Sequence, residues 1–244
     1  MKISVIIPCY NAERWIEKCV LSAINQDYEN KEIIVVDNES TDNSLNLIKN
    51  LKEKHNDLIV SSAENIYKYS WTEPVDEGLR LSSGDYITIV GADDFLDATY
   101  LSNVMKCIML DPKKILAFQS PIRSVNGAEE TYAGDIGHSY KSLDDFKNQL
   151  FEKCPVTTPS VFYSKKIHEN GLLTWNSEKY LGASDYDLYF RLADNNIFIY
   201  PAPKWLGYYY RWHDKQATWG MHSEKVSYDN IIKKHWKEKW DKSE

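Results

Sequence analysis

Four short, almost wholly apolar runs, Ile3–Ile7, Ile33–Val36, Leu58–Val60 and Tyr86–Val90, recur in the first part of the chain. They are continuous rather than alternating. A strand with one face in water alternates apolar and polar residues, whereas a strand apolar at nearly every position is covered on both faces. Helical periodicity fills the gaps. Trp15, Ile16, Cys19, Val20, Ala23 and Ile24 fall on one helix face, with Glu13, Glu17 and Lys18 turned outward. Leu45, Leu47, Ile48 and Leu51 form a second face, with Ser40 or Thr41 as its cap. A third helix is predicted over Thr72–Ser82, interrupted early by Pro74. Strands alternating with helices of this length mean βαβ units. The predicted class is α/β, a Rossmann-like, mostly parallel sheet flanked by helices.

The fourth run leads into Gly91-Ala92-Asp93-Asp94. In an open α/β sheet, ligands bind outside the carboxyl ends of the strands. Two adjacent carboxylates repel and need a cation if both are to stay charged. Mg²⁺ or Mn²⁺ would serve, and usually brings a phosphate-bearing substrate. The plainer role for either Asp is to cap the following helix. The turn after the first strand reads Pro8-Cys9-Tyr10-Asn11, so it carries no dinucleotide glycine signature, and the chain has no Gly-Lys-Ser/Thr phosphate loop. Phosphate must be held another way, and a metal on Asp93 and Asp94 is the candidate.

A formal net charge of -7 argues against a general nucleic-acid binder, which needs a basic field. Cys9, Cys19, Cys107 and Cys154 show neither paired nor metal-knuckle spacing, as expected of reduced thiols in the cytoplasm. The start, MKISVIIPCYNAE, reads as a strand and not as a signal peptide. No run approaches the ~18 apolar residues of a spanning helix. A soluble, cytoplasmic protein is expected, at most peripheral to the inner face of the cell membrane.

Past Leu96 the pattern loosens. Helices are predicted over Thr99–Leu110, Ser142–Phe151 and Ser184–Leu192, and one or two strands within Ile115–Val125. Further strands are predicted at Ser160–Tyr163, Ile197–Tyr200 and Trp205–Trp212, and a Gly-containing loop over Asn126–Tyr140. With no linker or repeat, 1–244 reads as a single domain in three parts, 1–97, 98–222 and 223–244. The last is an amphipathic helix with a stripe of Tyr228, Ile231, Ile232, His235, Trp236 and Trp240. Packing on the body is the first reading of that stripe. Peripheral membrane contact is the second, because Trp beside Lys suits an interface.

At this point the segments resemble the family 2 glycosyltransferases and their GT-A fold. The resemblance rests on SVIIPCYNAE, VVDNESTDNS, EGLRLSSGDYITIVGADDFL, PSVFYSKK, ASDYDLYFRL and YYYRWH, which follow the family's order from about Ile3 to His213. It implies inverting, metal-dependent transfer of a sugar from a nucleotide-diphosphate donor, most often UDP-linked. The acceptor would be a hydroxyl of a glycan or lipid-linked glycan. Residues 1–97 would then hold the donor and 98–222 the acceptor.

By the same resemblance Pro8, Tyr10, Glu13, Asp37 and Asp93 line the nucleotide site. Asp93, Asp94 and His213 hold Mn²⁺ or Mg²⁺, and Arg211 and His213 meet the diphosphate. Asp185 is the catalytic base. Inversion by a single displacement requires the acceptor hydroxyl to lose its proton as it attacks, which a carboxylate within hydrogen-bond reach can accept. Ser184-Asp185-Tyr186-Asp187 also reads as a capping box, with Asp187 suited to the capping role and Asp185 left to face the cleft. Gly91 stands where the family often has an Asp, and Ser184 where it usually has Glu. Asn38, Glu39, Asp76 and Lys68-Tyr69-Ser70 depart from it as well. These departures motivate a competing reading, a degenerate member that binds nucleotide-sugar or glycan without transfer. A sugar nucleotidyltransferase is a third reading, but it expects a Gly-rich, Arg-bearing loop where PCYNAE stands.

Overall fold

The computed structural model describes residues 1–68, 70–216, 219 and 226–242. Tyr69 of the 68–70 turn and the ends of the expected 223–244 helix lie outside the described residues.

The four apolar runs become β1 (Ile3–Cys9), β2 (Lys31–Asp37), β3 (Ile59–Ser62) and β4 (Tyr86–Ile89). Between them lie α1 (Ile16–Ile24), α2 (Ser44–Lys54) and α3 (Thr72–Leu81). Then follow β5 (Phe95–Leu96), α4 (Tyr100–Ile108), β6 (Ala117–Gln119), β7 (Ile122–Val125), β8 (Thr131–Ile136), α5 (Leu143–Glu152) and β9 (Val161–Ser164). The chain continues through α6 (Lys165–Glu169), α7 (Ser177–Tyr180), α8 (Ser184–Asp194), β10 (Ile199–Pro201) and β11 (Tyr208–Arg211) to α9 (Tyr228–Asp241).

The large sheet runs β10-β6-β9-β4-β1-β2-β3 and is parallel except for β9, which lies antiparallel between β4 and β6. β1 sits near its centre, and its side chains divide between two cores. Ile3, Val5, Ile7 and Cys9 pack with α1 and α4, while Ile6 packs with Val75 and Leu79 of α3 and with the α8 side chains. That two-sided burial is why the run is continuously apolar. At Gly78 of α3 a Cβ would lie 2.4 Å from Ile6 Cγ2, so glycine lets this helix seat on β1.

β1 extends beyond its expected end at Ile7, through Pro8 to Cys9. Pairing with β4 stops at Ile6↔Ile89, so the missing Pro8 N–H falls where no ladder bond is needed, and β2 stays paired to Cys9↔Asp37. Pro74 does not interrupt α3, because it lies in the first turn, where the N–H has no helical partner. Neither Ser40 nor Thr41 caps α2; the helix opens at Ser44, whose N–H donates to Asp42 Oδ1 at 2.9 Å. The expected loop over Asn126–Tyr140 contains β8, an exposed strand whose TYAGDI gives no apolar alternation.

A second sheet, β5-β11-β7-β8, packs beside the acidic turn. β11 runs antiparallel to β5 (Tyr208↔Leu96) and parallel to β7. It thereby brings residues more than a hundred positions downstream onto the end of β4.

Part of the α9 stripe is turned to the body, while Ile231 and His235 are exposed. Ile232 and Trp236 are buried, and the Trp236 ring stacks on Phe190 of α8 at 5.9 Å. Trp236 Nε1 donates to Asp187 Oδ1 and Trp240 Nε1 to Asp194 Oδ1, both at 2.8 Å. Trp236 and Trp240 are thus used in packing on α8. Among the described residues no helix is long and apolar enough to cross one.

Candidate active site

The ends of β1, β2 and β4 form one rim of the large sheet. Beside it opens a cavity of about 550 Å³ whose lining includes Pro8, Asp93, Asp94, Trp71, Trp175 and Asp185. Carboxylates therefore face the same space from both halves of the chain.

At the β4 end the turn folds back on itself. A Cβ on Gly91 would lie 2.9 Å from both Asp93 Oδ1 and Asp94 Oδ2, so any side chain there would displace both carboxylates. Asp94 is 2 % exposed. Its Oδ2 accepts from the Tyr208 hydroxyl and its Oδ1 from the Arg211 N–H, both at 2.8 Å. Burial, then the Asp93 charge, push its carboxyl well above the usual carboxylate range. Both oxygens thus already accept hydrogen bonds within the protein.

Asp93 is partly exposed to the cavity, with Oδ2 2.9 Å from His213 Nε2. One carboxylate and one imidazole suit Mn²⁺ or Mg²⁺, whose sites commonly use one or two protein ligands and take the rest from phosphate oxygens and water. Among the described residues no group of three or more His, Cys, Asp and Glu is arranged to hold a metal. The residues thus fit a two-donor site on Asp93 and His213, narrower than the three-residue set expected.

Arg211 does not face the cavity as a free diphosphate ligand. Its side chain is 1 % exposed beneath the turn. Nε donates to the Asp93 carbonyl at 2.7 Å, Nη2 to Glu129 Oε1 at 3.2 Å, and the guanidinium lies 4.3 Å from the Trp15 ring centre.

The nucleotide candidates occupy the rim in different ways. Pro8 lines the cavity, and Tyr10 stands exposed beyond β1. Asp37 is buried at the end of β2; Oδ2 accepts from the Ser40 N–H at 3.1 Å, and Oδ1 has no partner. Glu13 is occupied in joining two loops, its Oε2 accepting from the Asn43 N–H at 2.9 Å.

At the opposite end Asp185 lies in the first turn of α8, half-buried on the cavity wall. Thr158 Oγ1 donates to its Oδ2 at 2.6 Å and the Tyr186 N–H to its Oδ1 at 2.8 Å. Burial pushes this carboxyl up to about 6, partly opposed by those two hydrogen bonds. The expected capping box does not form. Ser184 Oγ donates to the Leu181 carbonyl at 2.5 Å, and Asp187 binds Arg191 Nη2 at 2.6 Å and Trp236. Leu181 has φ +49°, a strained setting for a bulky residue, at the entry to α8.

Four residues at the site were not singled out from the sequence. Tyr208 was readable inside YYYRWH, since a buried Tyr hydroxyl seeks a partner. Thr158 precedes β9 with no distinguishing pattern. Trp71 and Trp175, edge to face at 4.7 Å, are too far apart in sequence to be paired from it.

The architecture, a mostly parallel sheet with a second small sheet completing the strand-end site, is the GT-A fold. The chain superposes on S. aureus TarS 1-349 in complex with UDP-GlcNAc with a TM-score of 0.73 at 23 % identity, covering 93 % of this chain and 62 % of that one. The mannosyltransferase PcManGT from Pyrobaculum calidifontis, in complex with GDP-Man and Mn²⁺, gives 0.63 at 19 % identity, covering 97 % and 68 %.

The sequence places the chain more narrowly. Residues 4–172 match the model of glycosyl transferase family 2, and the chain belongs to that family. It is 27 % identical over 216 residues to the dolichyl N-acetyl-alpha-D-glucosaminyl phosphate 3-beta-D-2,3-diacetamido-2,3-dideoxy-beta-D-glucuronosyltransferase of Methanococcus voltae, covering 85 % of this chain and 66 % of that protein. The chain thus spans about two thirds of the length of these relatives.

Proposed function

We propose that the protein transfers a sugar, with inversion, from a nucleotide-diphosphate donor to a hydroxyl of a glycan or lipid-linked glycan. One observation carries the reading. Asp93 with its histidine partner, and Asp185 held by two neutral donors, face one cavity. A diphosphate needs the first kind of group and an acceptor hydroxyl needs the second.

The nucleotide would lie along the rim by Pro8 and Tyr10, where the unpartnered Asp37 Oδ1 offers an acceptor to a base N–H or ribose hydroxyl. Asp93 and His213 would hold Mn²⁺ or Mg²⁺, which when bound supplies Lewis-acid stabilisation of charge on the departing nucleotide. Asp185 takes the proton from the acceptor hydroxyl as that oxygen bonds to the anomeric carbon. The bond to the diphosphate oxygen breaks, and the nucleotide leaves with its electron pair. Thr158 and the Tyr186 N–H hold the carboxylate in place. A base near 6 is ionised at neutral pH yet still basic enough to accept the proton. TarS and PcManGT were solved with UDP-GlcNAc and GDP-Man, so UDP and GDP are the first donors to try.

The test is a thermal-shift panel of UDP, GDP, CMP and dTDP, each with and without Mn²⁺. A nucleotide at a hundredfold its Kd stabilises by about 2.7 kcal/mol, a shift of roughly 5–10 °C. A metal-dependent shift with one nucleotide is expected. No shift with any of them would refute the donor site.

A further inference from the structure

We propose that Arg211 is a positioning residue: it fixes the acidic turn from beneath, and Glu129, on a hairpin of the other half, holds it there. The inference rests on reading Asp93 as the donor-side carboxylate.

Arg211 is among the largest fully buried side chains of the protein. Burying a guanidinium is costly unless it is paired and hydrogen-bonded. Here its contacts converge on the turn. The main-chain N–H holds Asp94 Oδ1, Nε holds the Asp93 carbonyl, and Trp15 and Phe95 flank the guanidinium at 4.3 and 5.2 Å. The Asp93 carboxylate is thereby left to project toward His213, which itself packs on Trp15 at 5.7 Å. Gln216 extends the arrangement, donating from Nε2 to the Arg211 carbonyl at 2.6 Å.

Glu129 is the only carboxylate paired with the Arg211 guanidinium among the described residues, and it comes from the tip between β7 and β8. The tip is built to hold it. Asn126 Oδ1 accepts from the N–H groups of Ala128 and Glu130 at 2.9 and 3.0 Å, and Glu129 itself has φ +67°. Its other oxygen pairs with Lys18 of α1. One acid therefore ties the second sheet to α1 and to the cation under the turn. A direct diphosphate ligand would be expected to present free N–H groups to the cavity. Arg211 instead spends Nε and Nη2 on protein carbonyl and carboxylate oxygens, while Nη1 is buried without a partner among the described residues.

Two variants test this, Arg211→Lys and Glu129→Gln. Lysine keeps the charge but cannot bridge the Asp93 carbonyl and Glu129 or stack flat on Trp15. Loss of such a supporting partner costs roughly 10- to 100-fold in affinity. UDP binding with Mn²⁺, with GDP as second probe, should weaken by that factor in Arg211→Lys and in the same direction, less, in Glu129→Gln. UMP binding should be unchanged in both. Were Arg211 a diphosphate ligand, Glu129→Gln would release it and tighten UDP binding; that outcome, or unchanged binding in both variants, overturns the proposal.

Crystal structures of the two variants give a readout independent of any nucleotide. Asp93 should move away from His213, and an unaltered Asp93–His213 contact in both overturns the positioning role. Wild-type protein that binds no nucleotide would instead refute the donor-site reading, while the variant structures still decide the role of Arg211. Glu129 is exposed, so Glu129→Gln keeps the test available if Arg211→Lys fails to fold.

Discussion

Asp93 and Asp185 face one cavity with opposite surroundings. Asp93 has an imidazole at 2.9 Å and a guanidinium bonded to its own carbonyl. Asp185 has a threonine hydroxyl and a backbone N–H, with Tyr186, Tyr163 and Val156 among its cavity neighbours. The first setting places a guanidinium and an imidazole against the acidic turn. The second leaves the charge only partly compensated and raises the affinity for a proton. Residue type does not separate the two roles; the neighbours do, and among the described residues Arg211 and His213, the partners of Asp93, come from β11 and the segment just after it. The turn after β4 and the first turn of α8 present the two carboxylates, and the small sheet supplies the guanidinium bonded to the Asp93 carbonyl.

The largest expected effect separates the two ends directly. Asp185→Asn should lower kcat by about 10²–10⁴-fold, the usual range for loss of a general base, while nucleotide binding with Mn²⁺ is unchanged. Near-normal transfer by this variant would break the comparison. Asp93→Ala should do the reverse. It removes the metal-dependent part of nucleotide binding, with a loss of several kcal/mol or about 10³-fold in kcat/KM. Titration with UDP or GDP, with and without Mn²⁺, checks it, and equal affinity in both proteins would remove Asp93 from the donor site.

The donor half was the more legible of the two, for a physical reason. Its strands are buried on both faces, so the runs at Ile3, Ile33 and Tyr86 stand out, and ligands gather at their carboxyl ends. The carboxylate pair and its place after β4 followed from that. The orientation of the two did not. Nothing in Asp93-Asp94 says which side chain turns inward, because Tyr208 and Arg211, from a strand over a hundred residues away, decide it. Arg211 was readable as a cation near the turn but not as one beneath it. In the second half the elements are short, and their partners lie across sheets. β8 is exposed along its length and leaves no pattern. Asp187 illustrates the limit. Its position in a first turn suggested a cap, and its bonds go instead to Arg191 and to Trp236 of a helix forty-odd residues on.

The next effect tests whether neutral donors alone tune Asp185. Catalysis needs the ionised base, so kcat should fall about tenfold per pH unit below about 6. Thr158→Val removes a donor that favours the charged form. A hydrogen bond to a charged group is worth about 1.5–3 kcal/mol, so this limb should move up by about one pH unit or more. A pH profile of kcat settles it; an unmoved limb would assign the titration to another group.

The smallest effect is on stability and is expected at the Asp185 end alone. The folded Asp185 carboxyl titrates near 6 against 3.8 for the free group, so the native state binds its proton more tightly than the unfolded chain does. The ionised form therefore costs stability. That cost is absent below about pH 4, grows between 4 and 6, and is fully present above 6. The group is only half-buried, and solvent screening leaves a cost on the order of 1 kcal/mol. Asp185→Asn should accordingly melt about 2–4 °C higher than wild type at pH 8 and lose that advantage at pH 4. Asp93→Asn should give no such gain, because its charge already faces His213 and the Arg211 guanidinium. Thermal melts of both variants at the two pH values decide the matter. A gain at pH 8 in both would mean that Arg211 and His213 do not distinguish the two carboxylates after all.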